Sequence, residues 1–178
     1  MTASVLTDEL TAIIEAVRTN LATPGADTIA TFSADSALVN GYETSVNIRQ
    51  FSFRVDEPEK IGGTDTGPTP VELVLAGLGT CQEIVYATYA RVLGIPLESV
   101  SVHAEGRLDL RGFFGVADVQ AGFQDVTYDV DITSSAPAAE IERLIAAVNL
   151  HCPVLDILQK PISVVGSYRL NGDTLATN

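Results

Sequence analysis

The 178-residue sequence predicts an α+β fold, with antiparallel strand pairs packed around one long buried helix. Three observations carry this reading. Between Gly62 and Gly94 a loop gives way to apolar residues spaced at helical steps, with start and stop signals at both ends. On either side, in 28–55 and 100–132, the apolar period falls to two, as half-buried strands require. A further helical period then follows Pro137 and runs into a cysteine-proline turn.

The central helix is the best specified element. Thr69 takes the N-cap position, Pro70 the first helical position, and Glu72 the capping-box position three residues after the threonine. Val71, Val74, Leu75, Leu78, Val85, Tyr89 and Val92 recur at steps of three and four, and Gly94 with Pro96 ends the run. From Val71 to Cys81 the helix is apolar nearly all round, which predicts burial. It falls short of a membrane span, which needs roughly 20 uninterrupted apolar residues; Glu72, Gln82, Glu83 and Arg91 break it. Ala76, Gly77, Gly79 and Thr80 leave little side chain just before Cys81, so a second backbone or a substrate can come close.

Before this helix, residues 8–21 read as an amphipathic helix capped by Thr7, with Leu10, Ile13, Ile14, Val17 and Leu21 as its apolar stripe. It is expected to pack or to dimerise, without chemistry of its own. Ile29, Ala30 and Phe32 begin a strand, Asn40-Gly41 signals a hairpin, and Val46 and Ile48 alternate on the return. The alternation slips at Phe51, Phe53 and Val55, which predicts a bulge near Arg49 and Gln50.

After the helix, Val100 to Leu110 and Val126 to Ile132 suggest two strands. Their link, 111–124, carries Phe113, Phe114 and Phe123 and is long enough for a lid or a binding loop. Ser134 or Ser135 starts the next helix, with Ile141, Leu144, Ile145 and Val148 inward. Cys152 then caps a short helix that begins at Pro153, where the helix dipole should lower its pKa. Ile162, Val164 and Tyr168 predict a last strand, and 171–178 a polar tail. The organisation is thus a helical extension (1–25), one domain (26–170) and the tail.

Composition narrows the function. A net charge of −13, with 10 lysines and arginines against 23 carboxylates, disfavours nucleic acid and anionic membranes. No basic-then-apolar leader opens the chain, so a cytoplasmic location is the default expectation, where thiols stay reduced. There is no phosphate-binding glycine pattern and no zinc spacing, so neither cofactor nor metal is expected. His103 should be exposed; His151 adjoins Cys152 but does not face it. The two cysteines occupy unusual places, one in a small-residue patch and one before proline. The residues alone leave reactive thiols and inert core sulfurs both open.

GGTDTGPTPVELVLAGLGTC, followed about seventy residues later by HCPVLDIL, resembles the family of osmotically induced protein C (OsmC) and organic hydroperoxide resistance protein. The order of elements matches from about Thr28 to Leu170. The resemblance implies an intertwined α+β homodimer with sites at the subunit interface. It implies thiol-dependent reduction of organic hydroperoxides to alcohols, with recycling by a dithiol such as a lipoyl group. By position Cys81 resembles the peroxidatic cysteine and Cys152 the resolving one. An arginine is expected beside the attacking sulfur, with Arg49 the candidate ahead of Arg54 and Arg111. The family's peroxidases carry a glutamate directly after the proline; here Val71 stands there and Glu72 one step on, about 100° around the helix. Phe113, Phe114 and Phe123 suit a greasy substrate. The alternative is a non-catalytic dimer of the same fold that holds a small apolar ligand or partner.

Overall fold

A computed structural model describes residues 8–177. Helix α1 (Asp8–Leu21) precedes a three-stranded antiparallel sheet, β1 (Asp35–Asn40), β2 (Glu43–Ile48) and β3 (Phe51–Val55). The long helix α2 (Pro70–Leu93) follows, then β4 (Ser99–Leu108), the short helix α3 (Leu110–Phe113) and β5 (Phe123–Thr133). Helices α4 (Ala138–His151) and α5 (Pro153–Gln159) lead to a final hairpin, β6 (Ser167–Leu170) and β7 (Asp173–Thr177). The chain is α+β with antiparallel sheets around a central helix, as its periodicities require.

Helix α2 begins as its sequence dictates. The Thr69 hydroxyl accepts from the Glu72 backbone N–H at 3.3 Å, and the Glu72 carboxylate accepts from the Thr69 N–H at 2.7 Å. Gly94 closes the other end in a left-handed conformation (φ 68°), which a glycine adopts without a Cβ penalty. The inner face of α2, Leu78, Val85, Tyr86 and Ala90, packs with Leu144 and Val148 of α4 and Leu155 of α5. Onto them fold the even-numbered residues of the β4–β5 hairpin: Val100, Ala104, Val126, Tyr128, Val130 and Ile132. Each fully buried aliphatic side chain here contributes on the order of 1.5–3 kcal/mol by leaving water. A Cβ at Gly79 would stand 3.8 Å from Val102, so the small residue brings β4 into ordinary contact with the helix.

The stretch that joins β3 to α2 is fixed by one buried carboxylate. Asp56 accepts from the Glu57 N–H through one oxygen. Through the other it accepts from the N–H and the hydroxyl of both Thr64 and Thr66. Bonds to the charged form, led by that from the Thr64 hydroxyl, hold Asp56 well below the usual carboxylate range. Gly67 permits the same close packing, because a Cβ there would fall 2.2 Å from the Arg54 carbonyl oxygen.

Several expectations are corrected. The phase slip near Arg49 is a two-residue hairpin turn, not a bulge: Ile48 pairs with Phe51 and Arg49 takes φ 53°. Reversing the chain after an even residue produces the same change of parity. Residues 28–32 form no strand, and Ile29 and Phe32 are 82% and 91% exposed, with no neighbouring strand to pair with. The last strand starts at Ser167, later than expected, because Asn171-Gly172, both with positive φ, turns the chain into β7 where a polar tail was expected. The link after β4 contains α3, so Leu110 leaves the strand. Helix α4 starts at Ala138, and Ser134 instead accepts from the Ala136 N–H.

Apolar faces remain open. Leu10, Ile13, Val17 and Leu21 of α1 are exposed, while Ile14 turns toward Arg91 and Val92 of α2. Val71 and Val74, in the first turns of α2, are also exposed, contrary to their expected burial. The Thr7 cap lies outside the described residues.

Candidate active site

Cys81 projects from the middle of α2, one turn after Leu78 and one before Val85. Cys152 stands at the junction of α4 and α5, closing the first and opening the second. Pro153 requires this break, since a proline is accommodated in the first turn of a helix and not in its interior. Helix packing brings the two sulfurs close to disulfide-bonding distance, both as free thiols. Cys152 is 1% exposed and belongs to the core, while Cys81 is partly buried and packs against that core from its edge.

Cys152 is the N-cap residue of α5. Its side chain makes no cap hydrogen bond. The N–H of Val154, the second residue of α5, is instead donated to the sulfur of Cys81. That bond favours the Cys81 thiolate, but burial outweighs it and the neighbouring Cys152 adds to burial, so the Cys81 thiol is pushed up from its ordinary value.

The other expected residues are dispersed. Arg49 sits exposed at the β2–β3 turn, its guanidinium 5.3 Å from the centre of the Phe51 ring. Arg54 pairs with Glu43 at 3.3 Å and Arg111 with Asp109 at 2.6 Å. Glu72 is engaged in its capping box, and Glu83 accepts from the Val102 N–H at 3.2 Å. Phe113 and Phe114 meet edge to face at 4.9 Å and are about half exposed, 54% and 49%. Phe123 lines two grooves: one of about 430 Å³ with Leu78, Tyr128 and Leu155, and one of about 470 Å³ with Val71, Glu72 and Leu75. Leu78 and Leu155 each lie one helical turn from a cysteine. His103 is exposed, as expected, and the His151 ring stacks on Tyr89 at 4.7 Å. Among the described residues, no group of three or more His, Cys, Asp or Glu is placed to hold a metal ion.

Three groups escaped the sequence reading. The Val154 amide carries no side-chain signal. Gln82 is fully buried beside Cys81, its carboxamide without a hydrogen-bonding partner among the described residues. Tyr128, the one hydroxyl in the inward series Val126, Tyr128, Val130 and Ile132, donates to the Asn149 Oδ1 at 3.2 Å. A polar tip in an apolar alternation was the available clue.

Comparison with known proteins agrees with the fold. A family model described as OsmC-like protein matches residues 63–165. No curated protein matches the sequence. Among solved structures, an OsmC-like protein from Mycoplasma pneumoniae superposes with a TM-score of 0.63 at 20% identity, over 73% of this chain and 88% of that one. An organic hydroperoxide resistance protein OsmC from Legionella pneumophila gives 0.59 at 25% identity, over 75% and 92%. One from Elizabethkingia anophelis gives 0.54 at 21%, over 73% and 89%.

Proposed function

Because the chain belongs to the family of OsmC-like proteins, we propose that it is a thiol-dependent peroxidase that reduces organic hydroperoxides to alcohols. The observation that carries the proposal is the approach of Cys81 to Cys152 near disulfide distance, with a helix N-terminal amide on the outer sulfur. The Cys81 thiolate attacks the terminal peroxide oxygen; the O–O bond breaks, the alkoxide leaves and is protonated to the alcohol, and Cys81 becomes a sulfenic acid. Cys152 then displaces the sulfenic hydroxyl as water, forming the disulfide. A dithiol of the lipoyl class reduces that disulfide, becoming a cyclic disulfide itself, and returns both thiols.

The thiolate needs a cation; among the described residues Arg49, Arg54 and Arg111 each lie against other groups of their own chain, and the first strands of a second copy supply a candidate. Sheet β1–β3 leaves Leu38 and Phe51 70% and 52% exposed, and α2 leaves Val71 and Val74 open. In an intertwined homodimer these faces cover one another, and the Arg49 hairpin of one protomer reaches Cys81 of its partner. Phe123, with the 111–124 link, then borders the apolar part of the substrate.

The test is thiol-dependent consumption of cumene hydroperoxide by the wild-type protein and by Cys81→Ser. Loss of turnover in the variant supports the proposal; equal rates refute it. A second reading is favoured by the raised Cys81 thiol and by the engagement of Glu72 in its cap: a dimer of the same fold that binds an apolar ligand without turnover. Ligand retention with no peroxide loss in the wild type selects it.

A further inference from the structure

We propose that the apolar stripe of α1 pairs, antiparallel, with α1 of a second copy of this chain. The pairing is independent of the thiol chemistry above.

Helix α1 is 14 residues long, a length at which an isolated helix is marginal in water and depends on packing for its stability. Its neighbour α2 covers one side of it, where Thr11, Ile14, Glu15 and Arg18 border Arg91 and Val92. At about 100° per residue, Leu10, Ile13, Val17 and Leu21 fall within an arc of about 80°, roughly a quarter turn from that contact. All four are exposed. The family model begins at residue 63, so α1 and its stripe lie outside the matched region.

The spacing and the charges of α1 select the occupant. Laid antiparallel on itself about Glu15, the stripe matches its own copy: Ile13 opposes the partner's Val17, and Leu10 falls beside the partner's Leu21. An isologous interface requires such a self-complementary patch. The same alignment turns the flank that carries Glu15 and Arg18 toward its counterpart. Each Arg18 then lies within one turn of the partner's Glu15, and flanking charges of this kind set orientation in paired helices. The two helix dipoles also oppose one another. A parallel pair gives up both effects, because it sets Arg18 beside the flank of Ala16 and Asn20 and aligns the dipoles. A membrane surface fits poorly: interfacial helices are rich in Lys and Arg on the polar face, whereas Arg18 is the only basic residue of α1, against Glu9 and Glu15.

The experiment co-expresses two full-length chains with tags of different size, one Ile13→Cys and the other Val17→Cys, both with Cys81→Ser and Cys152→Ser. On oxidation the mixed disulfide should form in preference to either like pair, because like positions are offset by about 6 Å along the axis, beyond disulfide reach. Like pairs in place of the mixed one, or no cross-link, overturn the proposal. A second measurement leaves the native cysteines in place and substitutes only an exposed position. Amide hydrogen exchange in α1 should quicken about tenfold in Ile13→Asp relative to the wild-type chain, as loss of a packed face requires. Equal exchange overturns the proposal. Protection of α1 that Ile13→Asp abolishes, without the mixed cross-link, puts a different surface on the stripe and overturns it as well.

Discussion

The N–H of Val154 is donated to the sulfur of Cys81, so the N-terminus of α5 serves the cysteine on the neighbouring helix and not the one that caps it. Burial outweighs that bond, which favours the Cys81 thiolate, and the Cys81 thiol stays above its ordinary value. A free cysteine titrates near about 8.5. In Arg49→Ala, in a Cys152→Ser background, the pH profile of Cys81 alkylation should therefore inflect above that range. With Arg49 present and the dimer assembled, it should inflect at least one unit lower, about tenfold more thiolate at neutral pH. Two coincident profiles would remove Arg49 from the site.

What could be read from the sequence divides along a physical line. The cap of α2, its Gly94 stop and the break at Pro153 depend on residues within a few positions of each other, and all were legible. So was Cys152 at a helix start. The hairpin at Arg49 was misread because a turn and a bulge change the parity of alternation alike, and only pairing tells them apart. Residues 28–32 have strand composition, but a strand exists only with a neighbour. The Val154 amide and the Tyr128–Asn149 bond depend on packing between elements far apart in the chain, which periodicity does not report.

Asp56 makes stability depend on pH. Its folded pKa is depressed, so its contribution is present above the unfolded carboxylate value of about 3.9 and is lost as the pH falls through the folded value. Asp56→Asn places an amide nitrogen where one oxygen accepted from four donors of Thr64 and Thr66. The variant should melt several degrees lower at neutral pH, and the gap to wild type should narrow below pH about 4. Thermal unfolding by circular dichroism across pH 2–8 reads both effects, and a gap independent of pH would assign the loss to packing alone.

Glu72 is where the capping and catalytic roles part. The Thr69–Glu72 pair satisfies two N–H groups at the start of α2. Thr69→Ala should cost about 1 kcal/mol in denaturant unfolding. Glutamine also fills the capping box, so Glu72→Gln should keep both stability and hydroperoxide turnover if the carboxylate only caps. A variant of unchanged stability with turnover reduced tenfold or more would give the Glu72 charge a part in the chemistry.

Gly106 governs where Phe123 lies. A Cβ at Gly106 would come within 2.5 Å of the Phe123 ring, too close for both to stay. The ring belongs to a side chain that can swing, and the grooves it borders are the open directions. Gly106→Ala should thus narrow the space beside Leu78 and Leu155. If Phe123 meets the apolar part of the substrate, KM for cumene hydroperoxide should rise about tenfold, the low end of what one lost hydrophobic contact costs. The smaller tert-butyl hydroperoxide should be nearly unaffected, because it does not extend as far. Equal changes for both peroxides would place substrate elsewhere, with the exposed pair Phe113 and Phe114 the next residues to substitute.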